Sequence, residues 1–271
     1  MVRSLWTAAS GMRAQQTNVD TISNNLANVN TTGFKKETTE FKSLFYQTLA
    51  DKSFDSEGME KPVPAQVGLG VRNSAIVSRF NQGTLIQTEN PYDFAIQGEG
   101  FFQVRTLDGT IGYTRNGAFT PALGAGGYTI STSEGYPLLD INNNPLVLSD
   151  EYDMSKITID TDGQVCYPDG QNNAMPIGIQ IGLVQFANLS GLEKTSGSIF
   201  LASEASGVPQ LEVNSPNLQA SVVKQMYLEQ SNVSAVDEMV NLIVAQRAYE
   251  MNSKIITASD DMLRTANNLR Q

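Results

Sequence analysis

The sequence predicts an α+β multidomain chain: paired N- and C-terminal helices forming a coiled-coil-like domain, an extended connector, and a central β-rich domain. Three observations carry this. Apolar residues recur every seven positions at both ends, the middle is cut into short apolar runs by glycine-containing turns, and the stretch between lacks either periodicity. Residues 1–33 and 231–271 are assigned to the terminal helical domain, 34–70 to the connector, and 71–230 to a β-rich outer domain with its return segment.

At the N-terminus Leu5, Met12, Val19 and Leu26 are seven apart, with Ala8, Ile22 and Val29 three positions later and Gln15 interrupting that second row. The pattern makes an amphipathic helix with a narrow seam, about 40 Å long at 1.5 Å per residue. Thr31-Thr32-Gly33 supplies a stop, because glycine takes the left-handed conformation that ends helices.

From Ser234 onward the chain has no Gly or Pro, and Ser234 with Asp237 has the spacing of an N-cap and its N3 acid. Leu242, Tyr249, Ile256 and Leu263 repeat every seven. Ala248, Ile255, Met262 and Leu269 border that row on one side, and Ala245, Asn252, Ser259 and Ala266 on the other. A helix of about 36 residues, about 54 Å, outruns an ordinary compact domain. Two such helices at opposite ends must pack on each other or on a neighbour. The helix-packing and assembly role falls to Leu5, Met12, Val19, Leu26, Leu242, Tyr249, Ile256 and Leu263.

In the middle, Asp108-Gly109, Asn116-Gly117, Asp162-Gly163 and Asp169-Gly170 read as tight turns. Residues 94–96, 100–104, 156–159 and 177–181 read as strands. The stretch from Tyr46 to Gly70, with Asp51, Asp55, Glu57, Glu60, Pro62 and Pro64, reads as an extended connector.

Composition narrows the chemistry. The net charge of −10 sits in the body, where residues 37–230 carry 10 basic against 22 acidic residues, which argues against nucleic acid or an anionic membrane as partner. There is no histidine and a single cysteine, Cys166, so the commonest general base and any intrachain disulfide are missing. No apolar block of signal-peptide or membrane-spanning length is present, so an exported chain would leave without an ordinary cleaved signal.

Partial motifs fall short. Gly98-Glu99-Gly100 and Gly68-Leu69-Gly70 lack the third glycine and the helix that would hold a pyrophosphate, so no cofactor is expected. Asp160-Thr161-Asp162-Gly163 begins like a calcium loop but has no closing acid, and reads as a hairpin turn. The acid pairs Asp150 with Glu151 and Asp260 with Asp261 read as solvated charge rather than a glycosidase dyad. Cys166 reads as a small turn or strand residue. Asn24, Asn25 and Asn28 leave two readings open, a fraying helix end or an amide ladder against a neighbouring subunit.

Longer strings carry a resemblance. SLWTAASGMRAQQTNVDTISNNLANVNTTGFKK (4–36), NPYDFAIQGEGFFQV (90–104), YTRNGAFT (113–120) and LEQSNVSAVDEMVNLIVAQRAYEMNSKIITASDDML (228–263) together resemble the axial protein family of the bacterial flagellum, which includes the rod proteins and the hook. The hook protein is typically longer than this chain, with an additional outer domain, and residues 44–71 resemble the connector of distal-rod members. Their acidic residues depart from the Ser/Gln-rich version, which keeps another rod or hook-type axial protein as an alternative. The resemblance implies a non-enzymatic subunit of a rigid hollow helical drive shaft that transmits torque and passes exported subunits. Its implied partners are itself, other rod proteins, the hook protein, ring (bushing) proteins and the export apparatus, in the periplasmic part of the basal body. It implies connector contacts through Tyr46, Lys52, Glu57, Pro62 and Pro64. The rival from another class is a wall-degrading enzyme carried on the rod.

Overall fold

The computed structural model describes residues 2–50, 65–124, 126–150, 152–169, 173–215 and 218–269. They form two compact units, each assembled from separated stretches of chain. One comprises Met1–Ala27, Glu37–Ser78 and Ser234–Gln271, the other Asn28–Lys36 and Arg79–Val233.

The first unit holds two long helices, α1 (Val2–Ala27) and α2 (Ala235–Asn268). α2 begins where expected: Ser234 is extended and its hydroxyl accepts from Asp237 N at 3.4 Å, with Asp237 and Glu238 in the first turn. The helices run antiparallel, Ser4 Oγ lying 3.3 Å from Ser259 Oγ near one end and Asn25 bonding Glu238 near the other. α1 stops at Ala27, earlier than the Thr31-Thr32-Gly33 signal suggested.

The segment expected to be an extended connector pairs with itself. Strand β1 (Glu37–Ser43) is antiparallel to β4 (Val71–Ser78), with a register shift after Glu40, and β2 (Tyr46–Ala50) is antiparallel to β3 (Ala65–Gly68). Residues 71–78, expected to open the β-rich domain, are therefore the returning strand of this hairpin. Most of its side chains are exposed or half-buried on both faces, so it lacks the alternation that betrays a strand in sequence. The hairpin lies along α1, where Thr39 Oγ1 donates to Thr21 Oγ1 at 3.0 Å and Val71 N to Ser10 Oγ at 3.3 Å.

The second unit is β-rich. Its largest sheet has six antiparallel strands in the spatial order Glu193–Lys194, Ile199–Leu201, Ile111–Thr114, Phe101–Arg105, Leu183–Gln185 and Gln210–Leu211. Side-chain alternation sends Phe102 and Val104 into one buried cluster with Phe94, Phe119 and Ile130, and Phe101 into another with Tyr113, Val184 and Phe200. The central strands are thus apolar on both faces, and rings such as Phe102 and Phe119 meet edge to face at 5.4 Å. Three-stranded sheets of residues 119–148 and 158–180 flank the first cluster.

Asp108-Gly109 and Asp162-Gly163 do turn, both glycines having positive φ. Gly170 lies outside the described residues. Asn116-Gly117 serves differently, since no hairpin closes there. Gly117 O accepts from Phe94 N at 3.0 Å, and a Cβ on Gly117 would overlap the Phe94 carbonyl oxygen. Gly117→Ala should destabilise the second unit by about 3 kcal/mol or more, because backbone must move to admit one methyl. Thermal denaturation followed in the near-UV checks this.

Candidate assembly site

In the first unit the predicted seam residues sit half-buried along the helix pair: Leu5, Met12, Val19 and Leu26 on α1, and Leu242, Ile256 and Leu263 on α2. Tyr249 is 43% exposed. The most enclosed positions are small or polar: Ala8, Ala14, Thr21 and Asn25 on α1, and Glu238, Ala245 and Ser259 on α2, with Ile22 the one large apolar side chain among them. Ser4, Gly11 and Asn25 face Ser259, Asn252 and Glu238, so steps of seven up α1 are matched by steps of seven down α2. At Gly11 a Cβ would stand 2.9 Å from Asn252 Nδ2, so the two helices approach closely there and a larger residue would displace the Asn252 amide. Val19 and Tyr249, with Gln16, Gln246 and Glu250, line an open groove of about 400 Å³ on one flank.

Of the three asparagines, Asn25 is 1% exposed. Its Nδ2 donates to Glu37 O at 2.8 Å and Glu238 Oε2 at 3.1 Å, while its Oδ1 accepts from Glu37 N at 2.8 Å. That amide ties α1, β1 and α2 together inside the chain. Asn24 is exposed with Nδ2 3.5 Å from Glu37 Oε2, and Asn28 Oδ1 accepts from Thr31 Oγ1 at 3.1 Å. Tyr46 is exposed at the start of β2. Lys52, Glu57, Pro62, Pro64 and Glu151 lie outside the described residues.

The second unit is organised about a carboxylate that sequence reasoning did not single out. Glu229 is 1% exposed and receives Lys35 Nζ on Oε1 at 2.6 Å, Gly83 N on Oε1 at 2.8 Å, and Arg115 Nη1 on Oε2 at 3.4 Å. Lys35 Nζ also donates to Asn81 O at 3.0 Å, and Arg115 Nη2 to Gly98 O at 2.8 Å, with its guanidinium 4.9 Å above the Phe101 ring. Around this triad Gly33 N donates to Glu229 O at 2.8 Å, Thr32 Oγ1 to Asn116 Oδ1 at 2.8 Å, and Lys36 N to Asn232 Oδ1 at 2.7 Å. Gly33 has φ +69°, and a Cβ there would lie 2.5 Å from Asn116 N. Its left-handed conformation therefore serves this docking, not the end of α1.

Two buried cations share the Glu229 carboxylate, and the carboxylates of Glu212 and Glu99 add a further attraction on Arg115. Burial pulls Lys35 below its ordinary lysine value of 10.5; the Glu229 carboxylate opposes the shift and Arg115 adds to it. Burial likewise lowers Arg115. The folded chain holds the Lys35 proton less tightly than the unfolded chain, so this cost to stability shrinks as pH rises toward 10.5. Glu229→Gln strands both cations and should cost about 3–5 kcal/mol, whereas Lys35→Met leaves a neutral Arg115–Glu229 pair and should cost less than half of that. Urea denaturation of the two variants tests the order.

The strings that meet here are recognised in known proteins. Residues 5–35 match the family described as flagella basal body rod protein, 95–167 the flagellar hook protein FlgE/F/G D1 domain, and 224–269 the flagellar basal body rod FlgEFG protein C-terminal region. The chain is 43% identical to the flagellar basal-body rod protein FlgG of Borreliella burgdorferi, with both chains covered in full. It is 42% identical to that of Agrobacterium fabrum, over 96% of this chain and 97% of the relative. It is 37% identical to that of Bacillus subtilis, again with both covered in full. With its terminal helices, its body and the triad-bearing strings all inside these matches, the chain belongs to the flagellar basal-body rod protein family.

Proposed function

We propose that this structural rod subunit polymerises into the distal rod, a rigid hollow helical shaft that carries torque from motor to hook and lets exported subunits pass. The observation that carries the reading is an unpartnered surface on α2. With α1 held by one face, the opposite face exposes Val236, Val240, Ile243, Val244, Met251 and Ile255, far more apolar surface than an isolated helix pair tolerates in water. Burying such a stripe at about 25 cal/mol per Å² in every subunit favours a polymer over free chains.

In this reading α1 and α2 act as a coiled-coil-like inner domain and the β-rich unit as the outer one. The hairpin, with Phe45, Tyr46 and Leu49 exposed, contacts neighbours and stiffens the shaft against bending. Other rod proteins and the hook protein join it end to end, and ring proteins surround it. Export through the flagellar apparatus delivers it to the periplasmic part of the basal body. No described helix is long and apolar enough to cross a membrane. The wall-degrading alternative finds no support: Asp260 and Asp261 are exposed on α2, with Asp260 3.8 Å from Arg264.

Val19→Asp combined with Ile256→Asp puts a charge into each half-buried helix row. The double variant should fail to polymerise, and to restore motility in a strain lacking the gene, while the β-rich unit keeps its near-UV signal. Normal filaments from it in negative stain would sink the assignment of these helices to assembly.

A further inference from the structure

Two surfaces of the helical unit complement one another and are left unfilled by the described residues. The first is a groove of about 370 Å³ between the N-terminal half of α1 and β4. Its floor is Ala9, Ala14 and Val71, its wall is Trp6, and its rim carries Arg13 and Arg72. Trp6 is the only tryptophan in the chain and is 71% exposed. Among the described residues neither arginine makes an ion pair, and no carboxylate lines the groove. Asn73 also lines it, and the Oδ1 of that residue is an enclosed acceptor without a hydrogen-bond donor.

The second surface is the outer face of the first three turns of α2. Val236, Val240, Ile243 and Val244 stand exposed there, bordered by the exposed carboxylate of Asp237 and by no cation over that span. α1 takes the opposite face through Glu238 and Ala245, so this ridge stays available while the intrachain pair is intact. On a chain of net charge −10, a basic, tryptophan-walled groove is matched by an aliphatic ridge with an acid at its edge.

We propose that the groove formed by Trp6, Arg13, Val71 and Arg72 receives the first three turns of α2 from a second copy of the chain. The contact rests on the rod-subunit reading and specifies which surfaces of one subunit meet which of the next. Because groove and ridge are different patches of the same unit, the contact is heterologous and adds copies head to tail rather than pairing the same patches as in a two-fold dimer. Gly11, beside the groove, is level with Asn252, about a dozen residues along α2 from the ridge. That displaces successive copies by about 18 Å along the helix axis, at 1.5 Å per residue. Trp6 supplies the apolar anchor, and the two arginines select the end of α2 that bears an acid without a base.

The test uses the full-length chain, its own Trp6 emission, and light scattering against concentration. Polymer formation should shift Trp6 emission to the blue. Arg13→Glu with Arg72→Glu should raise the critical concentration about tenfold or more, as should Asp237→Arg alone, through like-charge contact. Arg13→Glu combined with Asp237→Arg should recover assembly, a result that general misfolding would not give. Emission that stays solvent-like in the polymer, or arginine variants that assemble at the wild-type concentration, overturn the proposal and leave the rod reading standing. Loss of assembly without recovery in the charge-reversed pair assigns the groove to another occupant and also overturns it. A chain that never self-associates overturns both.

Discussion

The second unit depends on one buried contact, the Glu229 carboxylate held between Lys35, Arg115 and the Gly83 amide. Its three charged members come from stretches far apart in the chain. An isolated carboxylate, ammonium or guanidinium in this interior would be prohibitively unfavourable, so each stretch requires the others to be in place. The cost of taking three charges out of water makes the cluster a poor source of net stability. What it contributes is uniqueness: a single arrangement satisfies Glu229, and that arrangement docks residues 31–36 beside Arg115 and Asn116. Gly33, which admits no side chain there, closes the same joint sterically.

A comparable logic governs the helical unit. Its tightest contacts are small or polar, with Gly11 against Asn252, Ser4 against Ser259 and Asn25 against Glu238, while the larger apolar residues flank them. Close approach brings the backbones together and makes the polar pairs specific. It also turns much of α2's apolar surface outward. A helix pair that needed every aliphatic residue for itself would have none left for neighbours, whereas here the division of surfaces suits a subunit built to join others.

Much of this architecture was readable beforehand. The heptads of α1 and α2, the Ser234 cap, and strands around Phe94, Phe101 and Ile177 all follow local rules that a single sequence displays. Three features did not. The β1–β4 pairing was hidden because neither face of the hairpin is fully buried, leaving no period-two signal between Glu37 and Ser78. Gly33 and Gly117 looked like punctuation and are instead places where one backbone presses on another, a distinction that exists only in three dimensions. The Glu229 triad lay inside strings already noticed, yet nothing local marks Lys35, Arg115 and Glu229 as partners. The heptad arithmetic picked out large residues along both helices, while the closest contacts between α1 and α2 fall on small or polar neighbours.

The way both units are stitched has a consequence for timing. Ser4 waits for Ser259, Asn25 for Glu238, and Lys35 for Glu229, so the earliest residues of the chain find their partners only among its last. Loop closures of this span are slow, and neither unit can be completed by an N-terminal fragment. A chain made from its N-terminus leaves both units incomplete until its C-terminal stretches are available. Late completion of this kind also means that the apolar stripe of α2 takes its final place only once the last stretch of the chain has met the first.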